Sequence, residues 1–331
     1  MTNSYPIEVA PPDITPYQYG NTGVDYITTF DSGKPGPHVM VNAITHGNEI
    51  CGAITVTRLL KMDLRAHLAR GNLTLSFANV DAYQAWNVNQ PNANRFVDED
   101  FNRVWAAETL SGAGTSKELA RARAMRPVID TVDLLLDIHS MHDEHQPLML
   151  SGALDKGIVL ARETGVPEFI VSDQGHANGT RLRDYAGFGN ADSPKTALLV
   201  ECGQHWSRAS AEVSWQTTWR FLRATGCVDH EFADAQINSA STRASASPRK
   251  PSQLLPRTKV VRVTHALVAS NTNYQFREGT KGLDIIAKEG EIFAYDDGKP
   301  VVAPYDNCVL IMPTLVHVKP GLTVVRLGRL T

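Results

Sequence analysis

Cysteine is scarce and dispersed. Cys51, Cys202, Cys227 and Cys308 are the only four, and no two form a C-x-x-C pair. That spacing excludes a thiolate zinc knuckle and a thioredoxin-like redox motif. It implies reduced, mostly buried thiols in a cytosolic protein. Long apolar runs are also missing, with none approaching the ~18 residues of a membrane span. The first residues, MTNSYPIEVAPPDITPY, show no basic segment ahead of an apolar one. Neither a signal peptide nor a membrane contact is expected, and the expected location is the cytoplasm. Charge of one sign is absent too: 32 basic residues face 35 acidic ones, for a net charge of −3. Without a basic excess to neutralise phosphates, nucleic acid is not an expected partner. No internal repeat is visible. The composition, 42% hydrophobic and 20% charged, is not that of a disordered chain. A chain of 331 residues suggests roughly two domains. It buries about three quarters of its unfolded surface on folding and needs no disulfide for its core.

Apolar runs alternate with helix-like segments over the first two thirds. His38–Thr45, Asn72–Asn79, Val132–His139, Glu168–Ser172 and Thr196–Glu201 read as buried strands. Glu49–Met62, with Asn48 as N-cap, Ser116–Thr131 and Ala209–Ala224, ending before Gly226, read as helices. Continuous apolar strands interleaved with helices predict an α/β domain whose largely parallel sheet is covered on both faces. Asp234–Thr258 is rich in Ser, Ala, Pro and Arg, has no apolar period, and reads as a linker. The chain therefore divides into residues 1–233, a linker over 234–258, and residues 259–331. The last part carries short β-rich runs (Lys259–Ala269, Gly282–Ala287, Glu291–Ala294, Lys299–Ala303, Val309–Pro313, Thr323–Leu327) and reads as a small all-β domain.

The chemistry gathers at strand ends. His46 and Glu49, in Thr45-His46-Gly47-Asn48-Glu49, follow one buried strand and open a helix. Chance alone gives about one His-x-x-acid pair in such a chain, so the spacing means little by itself. Position means more, because ligands bind outside the carboxyl ends of strands in open α/β sheets. His139 ends a second buried strand and Glu201 a third. If the strands are parallel, all four residues meet at one rim. Two imidazoles and a carboxylate suit a catalytic zinc with one position left open. A further unligated carboxylate would serve as general base. Asp137, two residues before His139 on the same side of its strand, can accept a ligand N–H. A strand-end histidine alone more often hydrogen-bonds a carbonyl. A carboxylate ending an apolar strand is costly to bury unless something pairs with it. Between Gln90 and Trp105 lie two Asn-Arg dipeptides, Asn94-Arg95 and Asn102-Arg103, whose arginine forks could grip a carboxylate or pair with Asp98, Glu99 and Asp100.

Four motifs in order, His46-Gly47-Asn48-Glu49, Asp100-Phe101-Asn102-Arg103, Asp137-Ile138-His139 and Val200-Glu201-Cys202-Gly203, resemble those of the succinylglutamate desuccinylase/aspartoacylase family, within the zinc carboxypeptidase-like superfamily. The likeness spans roughly residues 38 to 206. It implies an α/β/α sandwich with a mixed, largely parallel sheet, and one Zn²⁺ per chain on His46, Glu49 and His139. It implies Glu201 as base, Arg95 polarising the scissile carbonyl, and Asn102 with Arg103 holding the substrate's α-carboxylate. Tyr274 and Tyr305 are the candidates for a tail tyrosine lining the site.

The sequence also departs from that pattern. The stretch Ala186–Lys195, where the aspartoacylase branch carries an arginine for an acidic acyl group, has none; Arg181 and Arg183 lie further back. His142 and His145 follow His139 at intervals of three and are read as pocket or surface residues rather than ligands. Ala303–Val309 resembles a biotinyl/lipoyl hammerhead without the lysine at its tip, so no covalent cofactor is expected. The function implied is a zinc amidohydrolase acting on a small N-acyl amino acid. The alternatives are a metallocarboxypeptidase acting on peptide C-termini and a non-catalytic zinc- or ligand-binding protein on the same fold. The tail is expected to cover the site and exclude long chains, the alternative being assembly into a homo-oligomer.

Overall fold

The apolar runs read from the sequence become strands of one large sheet. The computed structural model describes residues 5–176, 178–244, 258–315 and 318–331, leaving aside the side chains of residues 240–244. The first elements are β1 (Ile27–Asp31), β2 (His38–Ala43), α1 (Ile50–Leu60), β3 (Asn72–Phe77), α2 (Val80–Gln84), α3 (Ala107–Ser111), α4 (Lys117–Ile129) and β4 (Leu134–Met141). Then come β5 (Leu148–Leu150), α5 (Asp155–Thr164), β6 (Phe169–Ser172), β7 (Thr196–Gln204), α6 (Arg208–Thr225) and α7 (His230–Ala244). The C-terminal strands are β8 (Lys259–Val268), β9 (Tyr274–Phe276), β10 (Ile285–Ile286), β11 (Ile292–Asp296), β12 (Lys299–Val302), β13 (Cys308–Ile311) and β14 (Thr323–Leu330).

Eleven strands join in the order β1-β3-β2-β4-β7-β5-β6-β8-β14-β13-β10. β3, β2, β4 and β7 run parallel, while β1 and β5 lie antiparallel to their neighbours β3 and β7, so the sheet is mixed. The strands are buried on both faces. On one face Val39, Val41, Leu136 and Ile138 pack with Val56 and Leu59 of α1 and Trp215 and Trp219 of α6. On the other Met40, Leu135 and Ala197 meet Leu119, Ala122 and Met125 of α4. Two-sided burial is why these strands read as continuous apolar runs rather than alternating ones.

Helix ends follow local chemistry. Ser116 caps α4 by accepting from the Leu119 N–H at 3.0 Å. Gly226 ends α6 in the left-handed conformation (φ 65°), as the sequence indicated. Asn48 does not cap α1; the N-cap position falls on Glu49, whose side chain makes no capping bond. Its carboxylate faces the histidines instead.

One expectation for the C-terminal third needs correction. Asp234–Ala244, taken as linker, continues α7, because Ala233 and Ile237 are buried in the core formed with α6. Residues 245–257 lie outside the described residues. The tail is all-β, as expected, and most of its strands join the main sheet. β8 pairs in parallel with β6, and β14, β13 and β10 extend the main sheet beyond it. A separate three-stranded antiparallel sheet, β12-β11-β9, projects from it. Among the described residues no helix is long and apolar enough to cross a membrane, and all four cysteines are buried and free.

Candidate metal centre and active site

Parallel pairing places the carboxyl ends of β2, β4 and β7 side by side. Asn42 of β2 is level with Asp137 of β4, and His139 of β4 is level with Glu201 of β7. After β2 the chain turns sharply through Ile44 at φ 63°, a strained conformation for a β-branched residue. His46 and Glu49 follow on the turn into α1. Gly47 is required there. A Cβ at this position would stand 2.4–2.6 Å from backbone atoms of Ala82, Tyr83 and Asn94. The close approach lets the Gly47 N–H donate to the Arg95 carbonyl at 3.0 Å, which brings Arg95 to the histidine.

The donor atoms of His46, Glu49 and His139 lie within 4.8 Å of one another, all buried. Glu49 Oε1 is 2.7 Å from His46 Nδ1, and Oε2 is 2.9 Å from His139 Nδ1. Each ring's far nitrogen meets another carboxylate: His139 Nε2 is 2.8 Å from Asp137 Oδ2, and His46 Nε2 is 2.9 Å from Asp100 Oδ1. Asp137 is itself held by Asn42 Nδ2 and Thr45 Oγ1, both donating to Oδ1 at 2.8 Å. A carboxylate that accepts from a ring Nε2–H leaves that ring's Nδ1 lone pair for the shared centre. Glu49 Oε2 and Glu201 Oε2 are buried and accept no hydrogen bond from the described residues. Two imidazoles, one carboxylate and no sulfur, with an orphaned oxygen among the donors, fit a zinc ion. The sequence reading had Asp137 in this role. It missed Asp100, although that residue opens the Asp-Phe-Asn-Arg motif.

Electrostatics separate the carboxylates. The two histidines hold Glu49 well below the usual carboxylate range, against a burial effect that is larger than either contribution alone. Burial pushes Glu201 up to about 8; Glu49 adds to this, while His139 and Arg95 oppose it. A divalent cation beside it would favour the ionised form.

These residues line one cavity of about 370 Å³, together with Arg95, Asn102, Arg103, His142, His145 and His205, a size suited to a small ligand. Arg95 Nη2 lies 2.9 Å from His46 Nε2 and 3.3 Å from Asp100 Oδ2. Arg103 Nη1 donates to the Asn102 carbonyl, and its Nη2 stands 3.9 Å from Asp100. Asn102 Oδ1 accepts from the Leu182 N–H at 2.8 Å, which fixes the side chain at the wall. His142 and His145 are wall residues, as expected. His142 pairs with Asp143. His145 donates from Nε2 to the Pro313 carbonyl at 2.9 Å and accepts from the Gly282 N–H at Nδ1.

Both tyrosine assignments fail. Tyr274 packs on Phe276 in the small sheet, and the Tyr305 hydroxyl bonds Thr264 while its ring lies under Arg329, 3.6 Å from the guanidinium carbon. Neither lines the cavity; both belong to the C-terminal core. What the tail does contribute is Met312, Pro313, Thr314 and Arg326, none of which carries a sequence motif. Arg181 and Arg183 are engaged elsewhere. Arg181 grips Asp173 with both Nη atoms, at 2.7 and 2.8 Å. Arg183 pairs with Asp184 and donates to the Ser151 and Ala197 carbonyls.

The catalytic-domain model of the succinylglutamate desuccinylase/aspartoacylase family matches residues 35–153, a segment containing His46, Glu49 and His139. Over 87 residues the chain is 36% identical to a probable aspartoacylase of Parasynechococcus marenigrum (strain WH8102). The match spans only 26% of this chain and 26% of that relative. Crystal structures of a succinylglutamate desuccinylase from Vibrio cholerae (TM-score 0.62, 16% identity, covering 93% of this chain and 86% of that one) and a succinylglutamate desuccinylase/aspartoacylase from Rhodobacter sphaeroides (TM-score 0.65, 14% identity, 93% and 90%) share the fold. That likeness reaches the C-terminal strands, well past the segment matched by the family model.

Proposed function

We propose that the chain is a zinc-dependent deacylase that hydrolyses the amide of a small N-acyl amino acid. One observation carries this reading. Three buried donors that fit zinc share a cavity with a buried carboxylate, Glu201, whose Oε2 accepts no hydrogen bond among the described residues, and with the two arginines of the Asn-Arg dipeptides. A merely structural zinc site has no use for the extra carboxylate.

Zinc held by His46, Glu49 and His139 would supply the Lewis acidity that acidifies a water and polarises the scissile carbonyl. Glu201 takes the proton from the attacking water and returns it to the amine as the C–N bond breaks. Arg95 donates to the carbonyl oxygen as negative charge develops on it. Arg103 holds the α-carboxylate with its planar fork, and Asn102 fixes the wall beside it. The products are a free carboxylate and an amino acid. Asp100 and Asp137 orient the two imidazoles. Residues 259–331 supply one wall of the cavity through Met312, Pro313 and Thr314, which suits a short substrate better than an extended peptide.

The test is a hydrolysis screen of zinc-loaded and chelator-treated protein against N-acyl amino acids, their esters and N-acyl tetrapeptides. Zinc-dependent cleavage confined to the short amides is expected. Equal cleavage of tetrapeptides would move the assignment to a carboxypeptidase. Stoichiometric zinc with no cleavage of any amide would overturn the enzymatic reading.

A further inference from the structure

Arg95, Asp100, Asn102 and Arg103 all come from one long connection. Between Gln84, the last residue of α2, and the short 3-10 turn Phe101–Arg103 the chain forms no helix or strand. Such a stretch needs an anchor if its side chains are to keep a fixed geometry. Packing does not provide one. From Asn92 to Asp100 no residue is buried, and the large apolar side chains there, Phe96 and Val97, are 39% and 40% exposed.

Glu118 is the anchor. It lies in the first turn of α4 and is fully buried. Its Oε1 accepts from the Val97 N–H at 2.7 Å and from Asn79 Nδ2 at 3.0 Å. Its Oε2 accepts from the Asp98 N–H at 3.1 Å and the Glu99 N–H at 3.3 Å. Three successive backbone amides of the connection thus converge on one carboxylate, and Asn79 ties it to the carboxyl end of β3. The hold is reciprocal. Asp98 Oδ2 accepts from the Lys117 N–H at 2.8 Å, and Glu99 Oε1 accepts from the Ser116 hydroxyl. Among the described residues no cation pairs with Glu118. A buried charge is costly unless hydrogen bonds compensate it, and here all of them run to the connection or to the rim of the sheet. A residue serving only its own helix would be exposed and bonded within that helix; Glu118 is neither.

We propose that Glu118 is a positioning residue for the reaction: it sets Arg95 and Asp100, and through Asp100 the His46 imidazole. This rests on the deacylase reading. Arg95 stands two residues before the clamped amides and Asp100 directly after them. The two meet at 3.3 Å, and Asp100 reaches His46 Nε2 at 2.9 Å. Any slack in residues 97–99 is therefore passed to both sides of the cavity rim. Glu118→Gln is nearly isosteric, but one oxygen becomes an NH₂ facing N–H groups, donor against donor. In either rotamer it loses two of the four bonds.

The experiment combines amide hydrogen exchange, zinc affinity by chelator competition, and kcat at saturating zinc on the best N-acyl amino acid of the hydrolysis screen, all on the intact chain. In wild type the amides of residues 97–99 should be protected although their side chains are exposed; free exchange overturns the proposal without any variant. Glu118→Gln should lose that protection, weaken zinc roughly 10–100-fold, as Asp100→Asn does, and lower kcat by up to ~10²-fold. The decisive readout is non-additivity. Added to Asp100→Asn, Glu118→Gln should weaken zinc no more than about twofold further, and added to Arg95→Ala it should lower kcat no more than about twofold further. Effects that multiply in full, as a general loss of stability would produce, overturn the proposal, and so does unchanged zinc affinity in Glu118→Gln. Should Glu118→Gln not fold, Glu118→Asp, whose carboxylate stops one methylene short of the loop, takes its place under the same criteria. Zinc affinity that depends on Glu118 through Asp100, with no amide hydrolysed, upholds the placement of Asp100 and removes the deacylase reading instead.

Discussion

Asp100 Oδ1 lies 2.9 Å from His46 Nε2, while Glu49 faces the ring's other nitrogen at 2.7 Å. The imidazole is thus held between two carboxylates, one inside the candidate metal centre and one outside it. Asp100→Asn keeps the shape and removes the charge that orients the ring. Zinc affinity, measured by chelator competition, should fall roughly 10–100-fold. His139→Ala should abolish zinc retention outright. Wild-type affinity in Asp100→Asn would leave Asp100 as an arginine partner only.

Glu201→Gln tests the base. Its Oε2 accepts no hydrogen bond among the described residues, so the amide should be accommodated and zinc content preserved. Turnover should fall by at least ~10²-fold. Near-normal kcat with full zinc would remove Glu201 from the reaction.

Arg103→Lys tests the fork. An ammonium cannot make two parallel bonds to a carboxylate, so KM should rise sharply with a smaller change in kcat. Converting the substrate's α-carboxylate to an amide should harm wild type much more than the variant. Equal harm to both would mean that Arg103 serves Asp100 and not the substrate.

His145 provides a pH test. Burial holds its imidazole below the ordinary 6.5, and the Pro313 carbonyl, Asp143 and Asp284 only partly offset this. Its folded pKa is therefore lower than its unfolded one. Its stabilising contribution is complete above about 6.5 and is lost as pH falls through the folded value. Urea midpoints should drop between pH 7 and pH 5. His145→Gln, which can still donate to Pro313 but does not titrate, should show a shallower drop. Identical slopes would show that other groups dominate the acid response.

The convergence of His46, His139 and Glu201 was legible because they lie at or just beyond the carboxyl-terminal parts of three strands, β2, β4 and β7, that are buried on both faces. Their apolar runs are unmistakable, and parallel pairing fixes where they end. Arg326 was not legible. It reaches the cavity through antiparallel pairing of β14 with β13, and nothing local to Val325 or Leu327 reports that register. Tyr274 and Tyr305 failed for the same reason: a tail residue's facing depends on pairings that short β runs do not specify. α7 was missed because Ala233 and Ile237 form a sparse apolar stripe in a Ser- and Ala-rich sequence. β5 was missed because three residues carry no period.

The parallel pairing of β6 with β8 bears on the order in which the molecule can be made. Phe169–Ser172 leave the ribosome long before Lys259–Arg262, the residues that cover them. Throughout that interval β6 has an open edge, with unpaired N–H and C=O groups on one side. The nascent chain can bring His46, Glu49 and His139 together early, but it cannot close its sheet until the C-terminal third emerges. Chains released before β8 would carry His46, Glu49 and His139 on a sheet with an exposed edge, and these are the species on which chaperones and proteases should act.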